Sequence, residues 1–207
     1  MTDFVHLHAH STYSILDAWG QPDAIIDRVV EAGLSAHTLT DHDSVSGHWK
    51  FQKAARAAGI KPIFGVEIRV VDNLAQREWK SEDGRRFYPY HLGLIARNQE
   101  GYRNLMQLTS RAWTQGIGGR GKFMPVVTWA DIAEHNAGLI GTSGCLSSKL
   151  SRAILGQIPD DPKATMNALG FIFEPGMLFY EWQNIGLEAE VPLSLITHLT
   201  LPTTPYV

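Results

Sequence analysis

The sequence predicts an α/β fold whose parallel strands close, or nearly close, into a barrel. Three observations carry this expectation. Short apolar runs alternate with amphipathic helical stretches along most of the chain, the pattern of strand and crossover helix. Side chains able to hold a metal recur where those runs begin or end, where chemistry collects in such folds. With 44% hydrophobic residues among 207, the chain can build one sizeable core.

The first element is the run into His6-Leu7-His8-Ala9-His10-Ser11. Extended side chains two apart share a face, so His6, His8 and His10 line one side of a strand. A turn at 11–14 follows, then Asp17. Pro22 and Asp23 suit the first turn of a helix with a stripe of Ile25, Ile26, Val29, Val30 and Leu34, stopped at Gly33. Residues 34–39 form a second strand leading into Thr40-Asp41-His42-Asp43. A helix over 47–58 follows, with Trp49, Phe51, Ala54, Ala55 and Ala58 on its buried side and Gly59 at its end.

Residues 61–70 read as a third strand containing Glu67, with Pro62 near its start, where a missing donor is tolerated. The polar stretch 72–89, with Arg77, Lys80, Arg85 and Arg86, reads as a surface excursion or hairpin. A fourth strand begins at His91, and Asn98 caps a helix carrying Tyr102, Leu105, Met106, Leu108 and Trp113. The glycine-rich loop 116–122 is too weak a motif to bind phosphate alone and reads as backbone flexibility. Thr128 with Asp131 opens a short helix to Asn136. Residues 139–142 form a fifth strand ending before Cys145, helices follow near 147–155 and 162–173, and 177–183 is a sixth strand containing Glu181. Right-handed crossovers would place the carboxyl ends of all strands at one rim.

An HxH run alone is as easily a polar face as a metal site. Here His8, His10, Asp17, His42, Glu67, His91 and Cys145 come from separate elements and would converge at that rim. Nitrogen and carboxylate donors suit zinc, manganese or iron better than they suit calcium, and magnesium fits less well. The set exceeds one ion's needs, so two or three divalent ions are expected, with Glu67 a candidate bridge. Such centres clamp phosphoryl groups and acidify bound water, so no side-chain nucleophile is called for and phosphoester hydrolysis is the implied chemistry.

The net charge of -3 gives no strong signature for nucleic acid or membrane, so any DNA contact must be local. One cysteine excludes an intrachain disulfide and suits a reducing compartment. No apolar run approaches the roughly 18 to 20 residues of a membrane span, and a cytoplasmic protein is expected.

The segments HLHAHS, LTDHD, GVE, the His91 strand and TSGC resemble the PHP (polymerase and histidinol phosphatase) domain. More narrowly, FVHLHAHSTYSILDA, AAGIKPIFGVE, GYRNLMQLTSRA and GLIGTSGCLSSKL resemble the N-terminal PHP domain of bacterial DNA polymerase III alpha subunits, from about residue 3 to about residue 188. The resemblance implies a distorted (β/α)7 barrel and metal ligands at His8, His10, Asp17, His42, Glu67, His91 and Cys145. It makes His6 a second-shell or packing residue, with Asp41 and Asp43 orienting His42 or capping its turn. It also implies 3'-5' exonuclease or proofreading hydrolysis at a DNA 3' end, with the rest of the polymerase and replisome proteins as partners. Alternatives are a silent, metal-stabilised scaffold docking a proofreading subunit, or a free-standing phosphatase of histidinol phosphatase type. Glu181 reads equally as a second-shell acid or a satisfied carboxylate. The family's closing Asn-Asp-x-His motif is absent, so the expectation is a PHP domain over 1–190 lacking its last β/α unit, with an unrelated tail over 191–207 in which His198 is incidental. The polymerase active site would lie beyond this chain.

Overall fold

A computed structural model describes residues 4–77, 88–117, 124–183 and 186–194. Residues 4–10 are extended but irregular, and they run along β1 (Ala36–Leu39). Thr38 N donates to His6 O at 3.1 Å and Thr40 N to Ala9 O at 2.8 Å. Between those bonds the segment advances one residue more than β1 does. Like a bulge, this breaks strict alternation, so His6 does not share the surroundings of His8 and His10.

β1 pairs in parallel with β2 (Lys61–Val71), and an isolated bridge between His42 and Glu67 prolongs that pairing. β3 (Tyr90–Ala96) then runs antiparallel to both β2 and β5 (Leu139–Thr142). The expected all-parallel sheet is therefore corrected. Among the described residues the link from β2 to β3 holds a 3-10 turn at Leu74–Arg77 and no crossover helix, and the two strands pair directly as antiparallel neighbours. Two-residue strands complete a six-stranded sheet of order β1-β2-β3-β5-β6: β4 (Val127–Thr128) on β2, and β6 (Leu178–Phe179), shorter than expected, on β5. Its two margins, residues 4–10 and the chain just past β6, meet where His8 bonds Glu181. The result is a mixed α/β distorted barrel.

The helices follow their sequence signals closely. They are α1 (Pro22–Glu31), α2 (His48–Ala57), α3 (Gln99–Thr114), α4 (Trp129–Glu134), α5 (Lys149–Ile154) and α6 (Pro162–Gly170). Asn98 Oδ1 accepts from Gly101 N, and Thr128 with Asp131 forms a complete capping box. Three inward assignments are corrected: Val30, Trp49 and Ala58 are exposed. In α2 the inward place belongs to His48, whose Nε2 bonds Gly65 O at 3.0 Å, and Trp49, one residue on, turns outward. Trp113 and Met106 of α3 are also largely exposed, although Trp113 Nε1 donates to Asp43 O at 2.8 Å.

The main core lies between the sheet and α3, with Val66, Ile68, Leu92, Leu94, Leu105 and Leu108 fully buried. A second packs α1 and α2 on β1 through Ile26, Val29, Leu39 and Phe51. A third joins α5 and α6 to α7 (Glu190–Ser194) through Leu150, Met166, Leu169 and Leu193. Helix α7 runs across the expected start of the tail at residue 191, and Tyr180 Oη donates to Leu193 O at 3.1 Å. Lys80, Arg85, Arg86, the loop residues 118–122 and His198 lie outside the described residues.

Candidate metal centre

Glu67 sits at the middle of the cluster, 2% exposed on β2. Its Oε2 lies 3.2 Å from His10 Nε2, 3.5 Å from His8 Nε2 and 3.1 Å from His42 Nδ1. Its Oε1 lies 3.1 Å from His91 Nδ1 and accepts from Cys145 Sγ at 3.4 Å. Asp17 Oδ2 is 3.3 Å from His42 Nε2. Among the described residues three overlapping triads bring ligand atoms within 4.8 Å of one another: His8, His10 and Glu67; His10, Asp17 and His42; His42, Glu67 and His91. Cys145 touches this cluster through Glu67 and His91 but belongs to none of the triads.

Each side chain arrives by a local device. The bridge between His42 and Glu67 places both at one level of the sheet. Because β3 is antiparallel, His91 at its start lies opposite Arg69, two residues from Glu67. In a parallel strand that start would face the far rim. Asp17 rides a loop closed by Thr12 N to Gly20 O at 3.0 Å, in which Leu16 takes the left-handed φ of 67°. Gly144, at φ 82°, brings Cys145 in past the His91 carbonyl, which a Cβ there would meet at 2.7 Å.

Asp41 and Asp43 support the cluster differently. Buried Asp41 accepts from Ser11 N at 2.6 Å, Ser11 Oγ at 2.8 Å and Ser14 Oγ at 2.9 Å, and Ser14 in turn meets His10 Nδ1 and accepts from His42 N. Asp43 is ion-paired to Arg69 and accepts from Arg69 N at 2.8 Å. His6 packs edge-on against Phe4, with ring centroids 4.7 Å apart, and near His37.

The charges are set by burial and close pairing. Burial works to raise the Glu67 pKa, but hydrogen bonds from His10, His8 and His91 outweigh it and hold the carboxyl well below its usual range. For His8 burial works downward, and Glu181 and Glu67 overcome it to reach about 10. Burial, then Glu67, pushes the Cys145 thiol to about 12, and burial takes His42 to about 4. A buried thiol of that basicity is no ready nucleophile.

Two features fit a metal. Buried His42 Nδ1 points near a Glu67 oxygen at 3.1 Å yet makes no hydrogen bond among the described residues, an unsatisfied nitrogen in a polar cluster. The mixture of imidazole and carboxylate donors is also that of a divalent transition-metal site. The cluster opens into a cleft of about 1920 Å³. Glu181, weighed evenly in the sequence between two roles, proves to bond His8 directly. Its place within the strand read over 177–183 was the available signal.

The chain is 37% identical over 160 residues to "DNA polymerase III subunit alpha" of Borreliella burgdorferi, covering 77% of this chain and 13% of that protein. It is 35% identical over 187 residues to the same-named protein of Treponema pallidum, covering 90% and 16%. It thus spans about a seventh of the length of these curated relatives. In fold it is similar to the crystal structure of a candidate metal-dependent phosphoesterase of Bifidobacterium adolescentis, with TM-score 0.55, 13% identity, and 94% of this chain and 84% of that one covered. No described helix is long and apolar enough to cross a membrane. Since the model of the PHP domain matches residues 6–184, the chain belongs to the PHP domain family.

Proposed function

We propose that this chain is the PHP domain at the N-terminus of a cytoplasmic, replicative DNA polymerase III alpha subunit, and that it hydrolyses phosphodiester bonds at DNA 3' ends as a 3'-5' exonuclease. The observation that carries the reading is the sharing of Glu67, His10 and His42 among three ligand triads, a geometry suited to two or three divalent ions side by side. His8, His10, Asp17, His42, Glu67 and His91 would hold them, and Cys145 stands within reach of the last two. When bound, zinc, manganese or iron would supply Lewis acidity toward phosphoryl oxygens and lower the pKa of water enough for attack. The chain's own groups order the site: Glu67 stays ionised between the ligand histidines, Ser14 and Asp41 hold the turn below His10 and His42, and Arg69 neutralises Asp43. Similarity to polymerase subunits supports DNA and the replisome as the setting.

The test is hydrolysis of a 5'-labelled single-stranded oligonucleotide by the 207-residue chain with added manganese or zinc. Stepwise loss of 3' nucleotides, abolished by chelator and by Glu67→Gln, is expected. Full metal uptake with no hydrolysis of any DNA end would favour the metal-stabilised scaffold that docks a proofreading subunit.

A further inference from the structure

We infer that Glu181 is a positioning residue of this centre: it holds the proton of His8 on Nδ1, so that Nε2 is the ring atom offered to the ion that His8, His10 and Glu67 would share. The inference rests on reading the cluster as a metal centre and concerns a residue outside the three triads.

The argument is one of donors and acceptors. Glu181 Oε1 lies 2.5 Å from His8 Nδ1 and also accepts from Gln183 Nε2 at 2.7 Å. Its Oε2 accepts from Thr142 Oγ1 at 2.7 Å. An ionised carboxylate has no proton to give, so this shortest contact of His8 Nδ1 requires the hydrogen to be on Nδ1. Gln183 Nε2, 3.3 Å from the same ring atom, donates to the nearer Glu181 Oε1 instead. The opposite ring atom, Nε2, faces inward, 3.1 Å from His10 Nε2 and 3.5 Å from Glu67 Oε2. A carboxylate behind an imidazole in this way sets its tautomer, fixes its rotation and raises its basicity toward a metal.

Glu181 is itself held. Its backbone N donates to Ser143 Oγ at 2.9 Å, and Ser143 N donates to Phe179 O at 2.9 Å. Thr142 is seated over Gly93, where a Cβ would come within 2.2 Å of Thr142 Oγ1, so glycine is needed on β3 for the hydroxyl to reach Glu181. His8 lies on one margin of the sheet and Glu181 on the other, so a single bond both orients a ligand and joins the barrel's edges. Metal affinity and closure are coupled through it.

The test combines zinc titration by calorimetry with nitrogen NMR of histidine in the zinc-loaded chain. The parent is expected to show His8 with its proton on Nδ1. Glu181→Ala should weaken zinc binding about 10- to 100-fold and broaden or shift that Nδ1 signal. Glu181→Gln, which keeps an acceptor oxygen of the same reach, should fall between, and it reads out the inference if the alanine variant fails to fold. Thr142→Val, which removes only the Thr142 bond, should cost less than Glu181→Ala. Zinc affinity in Glu181→Ala equal to the parent, or a His8 proton on Nε2 in the loaded parent, overturns this inference alone. A parent chain that takes up no zinc overturns it together with the metal reading.

Discussion

Glu67 shows how one residue can depend on several others for its charge. A carboxylate so buried would ordinarily pick up a proton, and hydrogen bonds from His10, His8 and His91 reverse that preference. Replacing Glu67 by Gln keeps the shape and removes the charge common to two triads. Most bound metal should be lost, as measured by elemental analysis, and metal content equal to the parent would refute Glu67 as the shared ligand. His37 is the opposite case. It is buried, neither ring nitrogen has a hydrogen-bond partner among the described residues, and burial followed by the charge of His6 lowers its pKa from 6.5 to about 4. Unfolded, it gains a proton below about pH 6.5; folded, it resists until about 4. In that window the unfolded state binds more protons, so stability falls as the pH falls. His37→Leu should remove on the order of 1 kcal/mol of that pH dependence, after allowance for solvent screening. Urea midpoints at neutral and acidic pH check this in metal-free protein, where parent and variant with parallel pH profiles would count against it.

Among the elements, helix starts and close crossings bear the most testable weight. The first turn of α3 approaches the 136–138 turn so closely that a Cβ on Gly101 would lie 1.9 Å from Gly138 O. Gly101→Ala must therefore push α3 away from β5, and a loss of about 1–3 kcal/mol is expected in chemical denaturation. An unchanged midpoint would show that the two elements part freely. Thr128→Ala removes the side-chain half of the α4 capping box, leaving the bond from backbone N of residue 128 to Asp131 Oδ2, and should cost about 1 kcal/mol in the same assay. The starts of α3 and α4 were legible because Asn98 and Thr128 act on backbone groups three residues away, within the reach of sequence; Ser148 and Asp161 cap α5 and α6 in the same way. Which face each helix buries was less legible: His48 outcompeted Trp49 because a backbone carbonyl on β2, far along the chain, was waiting for it.

For the whole molecule, the cluster gathers candidate metal-holding side chains from the first margin of the sheet, the turn after β1, β2 and β3, and the loop after β5 adds Cys145. An ion held there would bind the folded chain and not the unfolded one, adding about 2.7 kcal/mol at a free concentration one hundred times its Kd. The thermal midpoint should rise with zinc or manganese, return on chelation, and stay flat in Glu67→Gln. A rise of equal size in that variant would place the stabilising ion elsewhere. The same dependence explains why the all-parallel expectation failed while the candidate residues still lie together. His91 begins its strand whereas His42 follows one, and only a reversed β3 brings both to one level.

Taken by itself, the sequence determined the α/β alternation, the helix starts and the metal-competent residue types, because periodicity, capping and donor chemistry are properties of neighbours along the chain. The tertiary structure alone decided the direction of β3, the separation of His6 from His8 and His10, and the partnership of Glu181 with His8. Each of these depends on strand pairing between distant segments, where one extra residue beside β1 or one reversed strand changes which side chains meet.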